Sequence, residues 1–385
     1  MTGVLRRAWL RVHRWLALSV GWLLAAVAFM GALLVVVGPL DRALHPALFR
    51  ARGGAPAAAA PLEPVRARLL REFGSGTALV FRLPADSDGT VAVTVKGRWA
   101  GTVYVDPASG QEQGRRGEME GVRNLLFKLH SSLGLQETGK AILAWIALAY
   151  LFLLVTGMVL WWPRRWPPRL RIEWRKGLLR ALFDVHRTGG AVLGLLIAVS
   201  VATGAYMAWP PLRDAVTLLA GARPVKPPKL PQLADNSTQT VPAPALDALL
   251  AAARAAVPGA PVTFVTLPVK PDKPVRVRLK TADDPHPNGL SSVWLDPRTA
   301  RVLAVDRWNR LDPGARATVI VYPLHTGELG GPLLEAVVAL GGLALAALGV
   351  SGIWLWLRRR AIARAAAQPA PRAPARSAAV RTDRG

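Results

Sequence analysis

Four stretches of this chain are apolar almost without interruption: roughly Leu16–Leu40, Ala141–Trp162, Ala191–Trp209 and Leu333–Leu357. Each approaches or exceeds the ~20 residues that a helix needs to cross about 30 Å of hydrocarbon. The apolar residues are concentrated in these blocks instead of recurring at the period of a soluble core, so the pattern predicts four transmembrane helices. Trp161, Trp162, Trp209, Trp354 and Trp356 end the blocks as an interfacial belt does. Between the blocks the period changes. LVFRLP, GTVAVTVKG and GTVYVDPASGQ, and later PVTFVTLPV, KPVRVRLKT and SSVWLDPRTARVLAVD, alternate every second residue and are bounded by Gly, Asp and Pro, which predicts antiparallel strands. Each set follows a predicted helix, PLEPVRARLLREF with one apolar face in the first case and ALDALLAAARAA in the second.

The two halves match in detail. His13 opens HRWLALSVGWLLAAVAFMGALL and His186 opens HRTGGAVLGLLIAVSVATGAYM, each with glycines eight residues on (Gly21, Gly194) and eighteen on (Gly31, Gly204). LHSSLG at His130 precedes TGMVLWWPRR, and LHTGELG at His325 precedes SGIWLWLRRR, with Gly157 and Gly352 each twenty-seven residues after the histidine. VYVDPASG at Asp106-Pro107 corresponds to VWLDPRTA at Asp296-Pro297, although the second lacks the hairpin glycine. A duplication of helix, polar segment and helix accounts for all three matches. Internal symmetry of this kind is common in membrane proteins whose site lies between repeats.

The formal net charge of +25 does not point to nucleic acid, because the arginines border the spans. Arg6, Arg7, Arg11 and Arg14 precede the first, Arg164, Arg165, Arg169, Arg171, Arg175, Lys176 and Arg180 lie between the second and third, and Arg358–Arg360 follow the fourth. The positive-inside rule makes these regions cytoplasmic and puts both long polar segments outside, with the first span an uncleaved signal anchor of an inner-membrane protein. The expected organisation is a cytoplasmic N-terminus and first helix (1–40), a periplasmic α+β module (41–128), the second helix with a preceding interfacial segment (129–163) and a basic cytoplasmic loop (164–185). The third helix (186–209), a second periplasmic module (210–323), an interfacial segment with the fourth helix (324–357) and a basic, disordered cytoplasmic tail (358–385) complete it. Residues 221–240, rich in Pro, Lys and Gln, read as linker.

The chain has no cysteine, which excludes disulfides, thiolate-held iron–sulfur clusters and covalent haem attachment. Histidine is then the available ligand. The topology places His13 and His186 at the cytoplasmic ends of spans one and three, and His130 and His325 at the external ends of spans two and four, on short interfacial helices. Neutral imidazole is a good axial ligand and a six-coordinate b-type haem needs two, so two pairs fit two haems: His13 with His186, and His130 with His325. Eighteen residues are five helical turns, which predicts Gly31 on the face of His13 and Gly204 on the face of His186. Glycine there suits either a flat porphyrin against the helix or close helix packing. Arg14 and Arg187 suit either haem propionates or topological positive charge. His45 and His286 have no repeat counterpart and neighbour proline, so a solvated turn is expected for each; no complete ligand set accompanies DDPH at Asp283–His286.

A helix followed by strands ending in a VxVDPxTG-like hairpin, duplicated and interleaved with four membrane helices bearing LHxxLG and HRxxG, resembles the PepSY-associated transmembrane family. That resemblance covers nearly the whole chain except the tail. It implies four transmembrane helices in two repeats with two small PepSY-like periplasmic modules, haem binding, and a role like that of inner-membrane ferrisiderophore reductases of the ferrioxamine type. No glycine-rich dinucleotide fingerprint, Walker loop or HExxH helix is present, and the cytoplasmic segments are too short for a flavin or nicotinamide domain. The expected function is transfer of electrons from a membrane quinol or a cytoplasmic reductase, through two haems b, to a ferric siderophore or similar chelate. The alternative is a non-enzymatic, membrane-anchored module that binds or inhibits a partner protein. A transporter is disfavoured by the small number of spans and the absence of carboxylates within them.

Overall fold

The apolar blocks fold as helices because the backbone must satisfy its own hydrogen bonds in lipid. In the computed structural model, which describes residues 3–53, 60–163, 166–168, 170–231, 244–270 and 272–367, α1 (Gly3–Leu16) and α2 (Trp22–Leu44) run on through a π turn at Ala17–Gly21 as one 42-residue helix. At 1.5 Å per residue it is roughly twice as long as the hydrocarbon is thick, so it extends well beyond the expected first span. A short turn, α3 (Pro46–Phe49), leads to α4 (Glu63–Phe73) and strands β1 (Ala78–Arg82), β2 (Val91–Lys96), β3 (Ala100–Val105) and β4 (Glu112–Gly117). Helix α5 (Val122–Ser132) then enters α6 (Gln136–Trp161), the second membrane-length helix.

The second half departs from expectation at its first helix. The basic loop ends early, at α7 (Leu178–Val192), which meets α8 (Gly194–Ala208) at a 64° bend. Gly189, Gly190 and Gly194 surround the break, where missing side chains leave little to hold a continuous helix. Helix α9 (Pro210–Leu219) and α10 (Leu246–Ala256) precede β5 (Val262–Leu267), β6 (Val275–Leu279), β7 (Ser291–Leu295) and β8 (Val302–Asp306). After them come α11 (Pro313–Thr326) and α12 (Gly331–Ala366). Among the described residues, three helices are long and apolar enough to cross a membrane, and four if the bent pair is one span. Residues 221–231 of the expected linker carry no helix or strand after the turn at Gly221; the rest of it, Arg164, Arg165 and Arg169 of the basic loop, and the tail beyond Ala367 lie outside the described residues.

The strands of both polar segments form one antiparallel sheet in the order β4-β3-β2-β1-β5-β6-β7-β8. The join is β1 against β5, with Leu79 opposite Leu267 and Phe81 opposite Val265. Side chains alternate along each strand, so one face buries Leu79, Phe81, Val93 and Val277 beneath Val65 and Leu69 of α4 and Leu249 and Leu250 of α10. The two helices also cap each other. Leu62 and Glu63 donate backbone N–H groups to Asp247 at the start of α10, and Leu246 donates its own to Glu63 at the start of α4. Orphan donors at both helix ends are thereby satisfied across the halves.

The opposite face carries Arg82, Tyr104, Arg116, Arg276 and Arg278 by the same alternation. Arg116 forms a two-pronged pair with Asp41 near the end of α2, which ties the sheet to the helices. At the turn after β3, Asp106 accepts from Ala108 and Ser109, and Asp296 accepts from Arg298 after β7. The glycine missing from the second hairpin is replaced by Ala300 in a left-handed conformation (φ 57°), where Gly110 has φ 70°. Within the helices, α2 and α12 cross at small residues: a Cβ on Gly349 would lie 2.6 Å from Ala25, and one on Gly342 would lie 2.9 Å from the Ala28 carbonyl.

Candidate functional site

Each of the four repeat-matched histidines is held through Nδ1. His13 contacts Thr156 Oγ1 at 2.8 Å and His186 contacts Ser351 Oγ at 3.1 Å. His325 contacts Thr203 Oγ1 and the Ser200 carbonyl, both at 3.0 Å, and His130 contacts the Val27 carbonyl at 2.9 Å. Carbonyls only accept, which fixes the proton of His130 and His325 on Nδ1. Thr156 and Ser351 already donate their hydroxyl protons to the carbonyls of Leu153 and Leu348, so they too accept from the imidazole. All four rings are thereby set in one tautomer, with the Nε2 lone pair free to bind a metal.

Glycines shape the space each ring occupies. A Cβ on Gly31 would lie 2.6 Å from His130 Cε1, on Gly204 3.0 Å from His325 Cε1, on Gly352 3.1 Å from His186 Cε1 and on Gly157 3.3 Å from His13 Cε1. Gly31 and Gly204 therefore adjoin the histidines of α5 and α11, a different relation from the shared face expected with His13 and His186. The five-turn alignment fails because the π turn intervenes in the first half and the 64° bend in the second. The repeated glycine, the residue four before it and the hydroxyl directly before it make one cradle, used for His325 in full and for the others in part. Thr156, Thr203 and Ser351 were not singled out from the sequence; the legible trace is a Ser or Thr preceding a repeat-matched glycine in TGM, TGA and SGI.

The histidines meet across the two halves. The rings of His130 and His325 are 6.1 Å apart, centroid to centroid, tilted by 34°. His13 and His186 are close enough for a charge on one to be felt by the other. Arg14 is exposed on α1. Arg187 is half-buried, and its Nε, Thr188 Oγ1 and Asp184 Oδ1 are buried without hydrogen-bond partners among the described residues, all within two residues of His186. His45 is half-exposed at the end of α2 and pairs with Asp41 at 3.0 Å. His286 is a correction: it is 2% exposed, bonded through Nε2 to Glu328 at 2.5 Å while Nδ1 accepts from Asn288 N–H, and it clamps the loop after β6 to the approach to α12. Asp284 in the same loop is occupied by Thr281, Leu290 and Ser291.

The donor set suits haem better than a bare ion. Two imidazoles that shared one metal, at about 2.0 Å from each nitrogen, would have ring centres up to roughly 6 Å apart. The 6.1 Å separation of His130 and His325 matches that spacing. No group of three or more metal-ligating side chains occurs among the described residues, so a bare ion would have two protein ligands, whereas a porphyrin brings four nitrogens of its own. Near the other pair the unpartnered groups are mixed, with donors on Arg187 and Thr188 and an acceptor on Asp184. A family profile described as the PepSY-associated TM region matches residues 10–359. No curated protein matches the chain.

Proposed function

This chain belongs to the PepSY-associated transmembrane family, and from that premise we propose that it is a four-span inner-membrane haem protein of two repeats that carries electrons to a ferric chelate outside the cytoplasm. The observation that carries the reading is the pair of imidazoles 6.1 Å apart, each with Nδ1 committed and Nε2 free. Haem b, when bound, supplies a one-electron couple between Fe(III) and Fe(II). His13 with His186 would hold one haem and His130 with His325 the other. The hydroxyls and carbonyls at Nδ1 keep each ring in the ligating tautomer and make it a stronger base. Gly31 lies eighteen residues beyond His13, about 27 Å along an ideal helix, so the two sites lie near opposite surfaces of the bilayer.

Arginines along α1 and in the last turns of α12 support cytoplasmic termini, and with them a periplasmic sheet. Electrons enter from a quinol or a cytoplasmic reductase. One electron reduces the chelated Fe(III) to Fe(II), which hard oxygen ligands such as those of a siderophore hold more weakly. The protein produced with ample haem should contain about two haems b per chain by pyridine haemochrome, one for each matched pair. His130→Ala or His325→Ala should remove the sheet-side haem and leave the spectrum of the other. Protein without haem would overturn this reading in favour of a partner-binding module.

A further inference from the structure

Above the sheet-side pair is a cavity of about 190 Å³ lined by Arg276 and Arg278 of β6, by His286, and by Tyr322 and Pro323 of α11. Tyr322 is one helical turn before His325, so this space opens beside the helix that carries a proposed ligand. Arg82, Arg123 and Arg278 act on the Tyr322 hydroxyl against the stronger opposing charge of Glu328, which with Arg276 brings four guanidiniums and one carboxylate to one locality. None of the four has a carboxylate within 4 Å among the described residues, while fourteen other pairs in the chain do.

The nearby acids are already engaged. Asp284 is bonded within its loop, Glu328 to His286, and Asp306 to the indole N–H of Trp294. Arg276 donates to Ser292 and stacks over Trp294, and Arg278 and Arg82 both stack on Phe264 without a hydrogen bond to any described residue. Burial, and then the charge of Arg278, push the Arg276 guanidinium down to about 10 against the opposing charge of Asp306. The two arginines stand at alternate positions of β6, about 7 Å apart along the backbone on one face of the sheet, with the Arg276 guanidinium over Trp294 of β7 and that of Arg278 over Phe264 of β5. Two separate guanidiniums lining one cavity suit two carboxylates of one molecule, each taken by one planar fork. A cavity of about 190 Å³ is too small for a whole chelate and would take its arms, leaving the iron centre outside.

We propose that this cavity docks the carboxylate arms of an anionic ferric chelate, with Arg276 and Arg278 as the principal donors and Arg82 and Arg123 near its mouth. The ferric part of the statement rests on the reading given under Proposed function; the anion site does not. Binding can be measured apart from electron transfer with gallium(III) citrate, which carries free carboxylates and is not reduced, added to the full-length protein in neutral detergent. Calorimetry should show binding that Arg276→Gln and Arg278→Gln each weaken by about tenfold or more, while Arg278→Lys recovers part of the loss. Arg82→Gln, at an exposed position, should weaken it by a few fold without affecting folding. A gallium hydroxamate complex without carboxylates should bind much more weakly.

Equal affinity for the two gallium complexes, or unchanged affinity in the glutamine variants, overturns the proposal. So does a result in which the variants lose co-purifying anionic lipid but keep citrate affinity, which would make this a headgroup site. Haem content, assayed separately, distinguishes the two failures. Haem-free protein that binds gallium citrate through these arginines sinks the reductase reading alone; haem-loaded protein that ignores it sinks the docking site alone.

Discussion

The ideal Cβ position of Gly31 is 2.6 Å from His130 Cε1, a separation at which something must move, whereas that of Gly157 is 3.3 Å from His13 Cε1, which a small shift of the ring relieves. The four glycines therefore form a graded series. Gly31→Ala should push His130 off the Val27 carbonyl and out of line with His325, Gly204→Ala and Gly352→Ala should act less, and Gly157→Ala least. Overpacking of this sort costs about 1–3 kcal/mol, or roughly 5- to 150-fold in affinity at the affected proposed haem site. Haem-to-protein ratios across the series check this, and a Gly157→Ala loss equal to that of Gly31→Ala would contradict it. The histidines and glycines were legible in the sequence because duplication repeats their spacing. The hydroxyls at Nδ1 were not, since Thr156 meets His13 across 143 positions and Ser351 meets His186 across 165. His286 was misread because its Pro-rich surroundings resemble a solvated turn, and nothing local reveals that Glu328, 42 positions away, covers it.

At the scale of elements, the β7–β8 hairpin depends on a charge. Asp296 accepts from the guanidinium and backbone of Arg298, and these bonds, the Arg298 side chain foremost, hold its carboxyl below the ordinary range despite burial. A folded-state pKa below the unfolded one means stability that is present above the unfolded value and lost as pH falls through the folded value. Asp296→Asn should therefore destabilise the protein at pH 7, and the gap from the parent should shrink as pH drops below about 4. Thermal unfolding followed by tryptophan fluorescence tests this; a gap that widens in acid would show the wrong sign. Seven of the eight strands lie within runs whose alternation is visible in the sequence. β4, EQGRRG, was not predicted, because its residues are polar or glycine and its arginines are satisfied by Glu72, Glu112 and Asp41 in three dimensions. The bend at Leu193 was equally hidden: hydropathy reports that a segment suits lipid, not that it is straight.

At the scale of the molecule, the two polar segments behave as one structure, because β1 pairs with β5 and α4 and α10 cap each other. Asp247→Ala should cost about 0.5–2 kcal/mol, the usual penalty for a lost helix cap, and should expose both segments together. Limited proteolysis in detergent should then cut 60–120 and 244–306 at similar rates; cleavage confined to the second would mean that each folds alone. Sequence periodicity located both segments but could not reveal this union, since the strands that join them are 180 or more positions apart. The union matters for descent as well as for stability. His130 and His325 come from different halves, as do His13 and His186, and each pair consists of corresponding positions. A single half, standing alone, has one histidine for each site and an unpaired outer edge on its first strand. Two copies of such a half related by a twofold axis would bring like histidines face to face on that axis and close the sheet through a strand meeting its own duplicate, the self-complementary contact of a symmetric dimer. The halves differ in two places, for the second bends at Leu193 and the second strand of its half of the sheet, β6, carries paired arginines where β2 has Ala92 and Thr94.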